Sequence, residues 1–216
     1  IVASADELGT ITHEINTLLD ALDESNRNAT QANETTIRGL VALAGARDNE
    51  TGLHLRRTQI YVELLARQLA TETDWAKVLD EKNIQLIRAA APLHDIGKVG
   101  IPDRVLLKPG RLTDDEFALM RTHVALGLGV LDGIVEEVGQ TPFLQTVRYV
   151  IAGHHERWDG QGYPAGLAGE DIPLAGRIMA VADVYDALRS LRVYKPSMSR
   201  EDARRIIVEG AGTHFD

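Results

Sequence analysis

Apolar residues at alternating steps of three and four open the chain, at Leu8, Ile11, Ile15, Leu18 and Leu22. This spacing is typical of a coiled-coil seam, in which every third or fourth residue faces a partner helix. The pattern predicts a long N-terminal helix that pairs with a second copy of the chain, giving a homodimer. The alternative is a helix that packs back on its own domain. Either way, residues 1–39 form an N-terminal linker or dimerisation helix.

Helical periodicity continues through the rest of the chain, and no segment has a convincing strand pattern. The fold class predicted is therefore all-α, a helical bundle that follows the N-terminal helix. A capping box at Thr113–Glu116 begins one helix and Ser199 caps the last one. The predicted helices run from Ile37 to Ala46, from after Asn49 to Ala70, from Asp74 into His94-Asp95, from Thr113 onward, from Pro142 to His154, from Leu174 to Leu188, and after Ser199.

Composition narrows the class of protein. The chain has 216 residues, of which 44% are hydrophobic, which is enough for a full core. Without cysteine, any metal must be held by His, Asp and Glu. We find no apolar run of membrane-span length and no signal peptide, and we expect a cytoplasmic protein. A formal net charge of −9 disfavours binding to a long nucleic acid but is compatible with a small phosphorylated ligand.

The adjacent pair His94-Asp95 is the first candidate for chemistry. It ends an apolar helical run and stands just before Gly97 and Lys98. One turn of chain thus offers a nitrogen and a carboxylate, the mixed ligand set that suits Fe, Mn or Zn. The two oxygens of Asp95 can also bridge two cations. Such a dipeptide is common, so by itself it indicates little.

Six further side chains have the chemistry of metal ligands, and most have an ordinary explanation when taken singly. Glu50 and His54 lie four residues apart on one helical face, as a simple hydrogen-bonded pair would. His123 resembles a satisfied core histidine. Asp183 interrupts an apolar helix, where an unpaired carboxylate is costly, so it must be paired or metal-bound. The full candidate set is Glu50, His54, His94, Asp95, His123, His154, His155 and Asp183.

Two other segments complete the pattern. The irregular stretch from Trp158 to Leu167 places three glycines and a proline around Tyr163, which predicts a rigid loop that approaches another group closely. Arg192 and Lys195 form a short basic cluster after the apolar helix.

In order and spacing, these motifs resemble the HD-GYP domain, a subclass of the HD metal-dependent phosphohydrolases that hydrolyses the bacterial messenger cyclic di-GMP. The resemblance covers residues 40–216, which we interpret as an HD-GYP-like catalytic domain. It rests on Glu50-x-x-x-His54, His94-Asp95-x-x-Lys98, His123, His154-His155-Glu156, Gly162-Tyr163-Pro164 and Asp183.

The resemblance implies a centre of two or three divalent ions, often iron or manganese, and conversion of cyclic di-GMP to linear pGpG, sometimes onward to GMP. It makes His94, Asp95, His123, His154, His155 and Asp183 metal ligands, with Glu50 and His54 at positions used for a third metal in some members. It also places Asp95 and Lys98 in catalysis, and Lys98, Gly162, Tyr163, Arg192 and Lys195 at the substrate.

Two other functions stay open. One is a catalytically silent receptor or signalling adaptor that binds cyclic di-GMP, although such degenerate members should have lost ligands. The other is an HD phosphohydrolase that acts on nucleotides or on another cyclic dinucleotide. The N-terminal helix also leads us to expect an upstream sensor or receiver domain in a longer protein.

Overall fold

The computed structural model describes residues 9–25, 27, 39, 52–72, 74–190 and 197–216. The candidate residues Glu50, Arg192 and Lys195 lie outside these ranges, as does the predicted helix from Ile37 to Ala46 except for residue 39. The chain divides into two compact units, residues 1–40 and 41–216.

The first unit contains helix α1, residues 9–25. Its seam residues Ile11, Ile15, Leu18 and Leu22 are all exposed. The predicted N-terminal helix is therefore present over residues 9–25, and its pairing with a second copy stays a prediction.

The second unit is built from helices, and the part of the chain that the structure describes contains no strand, only an isolated bridge between Ala211 and Phe215. The all-α prediction is confirmed. The helices are α2 (Gly52–Leu69), α3 (Glu81–Ala90), α4 (Asp103–Leu106), α5 (Asp114–Arg121), α6 (His123–Val138), α7 (Pro142–Gly153), α8 (Leu174–Arg189) and α9 (Arg200–Glu209).

Side-chain caps account for several helix starts. Thr113 and Glu116 form the predicted capping box of α5, and Ser199 accepts a hydrogen bond from the amide of Asp202 at the start of α9. The helix predicted from Asp74 begins later, at Glu81. Asp80 accepts a hydrogen bond from the amide of Asn83 and starts a new helix there, after a run of turns.

The core lies where α2, α3, α7 and α8 meet. Helix α8 packs against α2 on one side and α7 on another, and it is therefore buried along most of its length. The turns between α3 and α4 pack on α6. Because α8 lies at the centre, polar groups on it face the interior of the domain. The most buried core residues include Val62, Ala66, Ala90, Val124, Val150, Ile151, Met179 and Ala182.

Among the described residues, Asp114–Val138 is one stretch that is long and apolar enough to cross a membrane. This corrects the expectation that no such run exists. Composition of this kind is weak evidence for a membrane span. His123 and Val124, in the middle of the stretch, are buried in the helical domain, so we interpret α5 and α6 as part of that domain.

Candidate metal centre

Seven of the predicted ligands lie among the described residues, and the fold brings all seven together. They come from five separate segments: α2, the turn after α3, the start of α6, the end of α7, and α8. Their ligand atoms form two groups, within each of which the atoms lie no more than 4.8 Å apart. We call Asp95, His123, His154 and His155 the first group, and His54, His94 and Asp183 the second group.

Asp95 belongs to the first group and also faces the second. Its Oδ1 is 3.2 Å from Nε2 of His123 and 3.7 Å from Nε2 of His154, both in the first group. Its Oδ2 is 3.0 Å from Nε2 of His94, in the second group. The two oxygens of one carboxylate therefore face different sets of histidines, which is the geometry expected of a bridge between two cations.

The second group is held by α2, the His94 turn and α8. Oδ1 of Asp183 lies 3.8 Å from Nε2 of His54 and 3.9 Å from Nε2 of His94. Metal–ligand bonds to imidazole and carboxylate are about 2.0–2.2 Å, so two ligands of one ion lie roughly 3 Å apart or somewhat more. Both groups therefore fit a divalent ion.

The ring orientation of four histidines is set from outside the centre. Nδ1 of His94 lies 2.8 Å from the carbonyl of Ala91, and the corresponding distances are 2.8 Å for His123 to Met120 and 2.9 Å for His154 to Ile151. Nδ1 of His54 instead lies 2.7 Å from Oδ2 of Asp186. Because a carbonyl or carboxylate oxygen accepts, Nδ1 donates in each case, and Nε2 is left to act as a ligand.

The protonation states of the centre also suit a metal. Burial alone would raise the pKa of Asp95, but the charge of Lys98 and the proximity of His94, His123 and His154 hold that pKa well below its usual value. Burial lowers the pKa of His154 and of His155. Metal ligation needs ionised carboxylates and neutral imidazoles, so these directions favour it.

Lys98 lies beside the shared carboxylate. It belongs to the short 3-10 turn Ile96–Gly100, and its Nζ is 2.8 Å from Oδ2 of Asp95. Both side chains keep some solvent exposure, 18% for Lys98 and 14% for Asp95. The ammonium therefore lies where a ligand entering the centre can reach it.

The predicted rigid loop closes over the first group. The ring of Tyr163 stacks on His155 with centroids 4.6 Å apart, and the guanidinium of Arg121 lies 4.4 Å from the Tyr163 centroid. These contacts compete with a nucleotide base for the ring. A side chain at Gly162 would place Cβ 2.4 Å from the amide nitrogen of Arg157, so only glycine fits there.

Glu156 anchors this loop and is not among the ligands predicted from the sequence. It is buried, and its carboxylate accepts hydrogen bonds from the amides of Ala165 and Leu167 at 2.7 and 3.1 Å. Its role is to fix the backbone of the loop. Nothing in the local sequence of Glu156 tells this role from a ligand role.

Asp186 is the other buried carboxylate that sequence reasoning missed. It lies one turn after Asp183 on α8, in the same apolar run. The argument that a carboxylate in so apolar a helix must be paired applied to Asp186 as well and would have found it.

The helices of this domain bring five histidines and two aspartates together in its interior. This arrangement is typical of a protein with a metal centre. The HD domain family model matches residues 24–216. The chain belongs to the HD domain family. Membership implies binding of divalent metal ions, in agreement with the two groups of ligands.

Curated relatives agree with this family. A cyclic di-GMP phosphodiesterase of Vibrio cholerae is 50% identical over 215 residues, which is 100% of this chain and 44% of the relative. A probable cyclic di-GMP phosphodiesterase of the same organism is 53% identical over 184 residues, covering 85% of this chain and 42% of the relative.

A third relative is named for a different substrate. The 3'3'-cGAMP-specific phosphodiesterase 2 of Vibrio cholerae is 39% identical over 186 residues, covering 86% of this chain and 33% of the relative. The chain thus spans less than half the length of these relatives. Together with the family match, their names confirm the HD-GYP resemblance.

Proposed function

We propose that this chain is a metal-dependent phosphodiesterase that hydrolyses cyclic di-GMP to linear pGpG, with GMP as a further product in a second cleavage. The proposal depends above all on one observation: the two carboxylate oxygens of Asp95 face separate groups of histidines. The names of two relatives at 50% and 53% identity, both cyclic di-GMP phosphodiesterases or probable ones, support cyclic di-GMP as the substrate.

We propose that each group holds one divalent ion, Fe or Mn, with Asp95 as the shared ligand. Ligands of this mixed nitrogen and oxygen type suit both metals. Glu50 is the candidate for a third ion beside His54, as the sequence motif implies. Bound cations supply Lewis acidity: they acidify water and neutralise charge on phosphoryl oxygens.

The chain's own side chains orient the substrate. The ammonium of Lys98 can donate to a phosphate oxygen and stabilise charge that develops there during cleavage. Arg192 and Lys195 are proposed to hold the second phosphate of the cyclic dinucleotide. Gly162 and Tyr163 shape the loop over the first group, and Tyr163 supports the ring of His155.

Incubation of purified protein with a cyclic dinucleotide tests the proposal directly. After reconstitution with Mn(II) or Fe(II) under reducing, anaerobic conditions, the protein is expected to release linear pGpG from cyclic di-GMP. Metal-free protein, prepared with a chelator, is the control and should be inactive. Product analysis by chromatography also tells pGpG from GMP.

The same assay separates the competing functions. Tight binding of cyclic di-GMP without any product would indicate the silent receptor. Faster hydrolysis of 3'3'-cGAMP than of cyclic di-GMP would assign the substrate named for the third relative. The first result would contradict the proposed activity, and the second would contradict the proposed substrate.

We also propose that α1 pairs with α1 of a second copy, and that an upstream sensor or receiver domain in a longer protein acts through it. Its seam residues are 50–69% exposed, with Leu18 the most exposed. Leu18→Glu is expected to shift sedimentation from dimer to monomer. Thr17→Glu adds the same charge at an outer position and should stay dimeric. A monomeric wild-type chain would contradict the pairing.

A further inference from the structure

One histidine of the centre is oriented differently from three others. His94, His123 and His154 each donate Nδ1–H to a backbone carbonyl three residues earlier in the chain. Their ring orientation is therefore set within their own turn. His54 on α2 uses a side chain instead, Asp186, which lies on α8 and is 132 residues away in sequence.

The carboxylate of Asp186 is held in place from several directions. Arg57 donates to it from Nε at 2.6 Å and from Nη2 at 2.9 Å, and the hydroxyl of Ser190 donates at 3.1 Å. The Asp186 side chain is fully buried. A buried carboxylate stays ionised when it is paired so closely, and an ionised carboxylate can only accept. Nδ1 of His54 must therefore be the donor.

This contact also joins α2 and α8, the two helices that contribute His54 and Asp183 to the second group. Asp183 and Asp186 lie one turn apart on α8, so they approach α2 from the same side. Asp183 offers its oxygen toward Nε2 of His54, while Asp186 holds the opposite nitrogen of that ring. The first group contains no residue from α2.

We propose that Asp186 is the positioning residue of the second group: through His54 it sets the affinity of that group for its divalent ion, and it leaves the first group unaffected. The proposal rests on the metal centre of the proposed function.

Metal titration of Asp186→Asn tests this role. Loss of a partner that orients a metal-bound histidine typically weakens metal affinity about 10–100-fold. Titration with Mn(II) is therefore expected to give one site of wild-type affinity and one site weakened by that factor. Asp132→Asn removes an exposed carboxylate that pairs with Arg148 on the surface and is the matched control; it should keep both sites.

A double variant separates positioning from a general structural effect. His54→Ala should weaken the same site, and adding Asp186→Asn to it should cause no further loss, because Asp186 acts through His54. Additive losses, weakening of both sites, or wild-type affinity in Asp186→Asn would each overturn the proposal. Wild-type protein that binds no metal would overturn both this proposal and the proposed function.

If Asp186→Asn does not fold, a measurement on the wild-type protein still tests the proposal. In metal-free wild-type protein, nitrogen-15 NMR is expected to show His54 as the tautomer protonated at Nδ1, with the signal assigned by its loss in His54→Gln. The tautomer protonated at Nε2 would overturn the proposal.

Discussion

Replacing Asp95 by asparagine is expected to lower kcat for cyclic di-GMP by more than about a thousandfold, because loss of even one preorganised electrostatic group typically costs roughly 10²–10³. The asparagine side chain is uncharged and has a single oxygen, so it can offer a ligand atom to only one of the two groups. Both proposed ions should therefore bind more weakly. Elemental analysis and a steady-state assay on the same preparation measure the two effects.

Two other variants serve as comparisons for the kcat and metal content of Asp95→Asn. Asp132→Asn makes the same chemical change on the surface and should keep wild-type kcat and metal content. Asp186→Asn should weaken one site only. Retained turnover in Asp95→Asn would contradict the assignment of this carboxylate as the shared ligand.

Replacing Gly97 by alanine is expected to destabilise the domain by about 1–3 kcal/mol or more, as overpacking of a tight interior does. A Cβ at Gly97 would lie 1.9 Å from the carbonyl oxygen of His123 and 2.5 Å from the amide nitrogen of Gly127. Both are backbone atoms of α6, so neither can rotate away. The turn that carries Asp95 and Lys98 must move off α6, which also separates Asp95 from His123.

The matched control for Gly97→Ala is the same substitution on α6 itself. Gly129 lies mid-helix, and a Cβ there meets no atom within 4 Å. Alanine at this position should stabilise the helix by roughly 0.5–1 kcal/mol. Urea unfolding of both metal-free variants measures the two opposite shifts. Equal stability of Gly97→Ala and wild type would mean that the turn does not pack on α6 as closely as described.

Much of this protein could be predicted from local patterns. The 3.6-residue period and the caps at Thr113 and Ser199 depend only on neighbouring residues, and they predicted helices correctly. The start of α3 was predicted too early because the apolar pattern runs through residues 74–78, whereas the Asp80 cap decides where the helix begins. Cap geometry depends on backbone conformation, which periodicity does not report.

The partners of the buried groups could not be predicted in the same way. Tyr163 was predicted at the substrate, and no sequence pattern showed that its ring contacts His155 and Arg121. Asp186 has the sequence context of Asp183, yet one faces the second group and the other holds Nδ1 of His54. One turn of helix leaves both side chains on the same face, and only the position of α2 decides which carboxylate meets which nitrogen.

The sequence by itself determined the helical class, the family and the chemical types of the ligands, because periodicity and motif spacing are properties of the chain alone. Only the tertiary structure decided how those ligands divide. Asp95 lies between two groups, and His54 depends on a carboxylate from another helix, because these relations are set where α2, α6, α7 and α8 pack together. Distances between helices depend on the packing of side chains far apart in sequence, so no local pattern contains them.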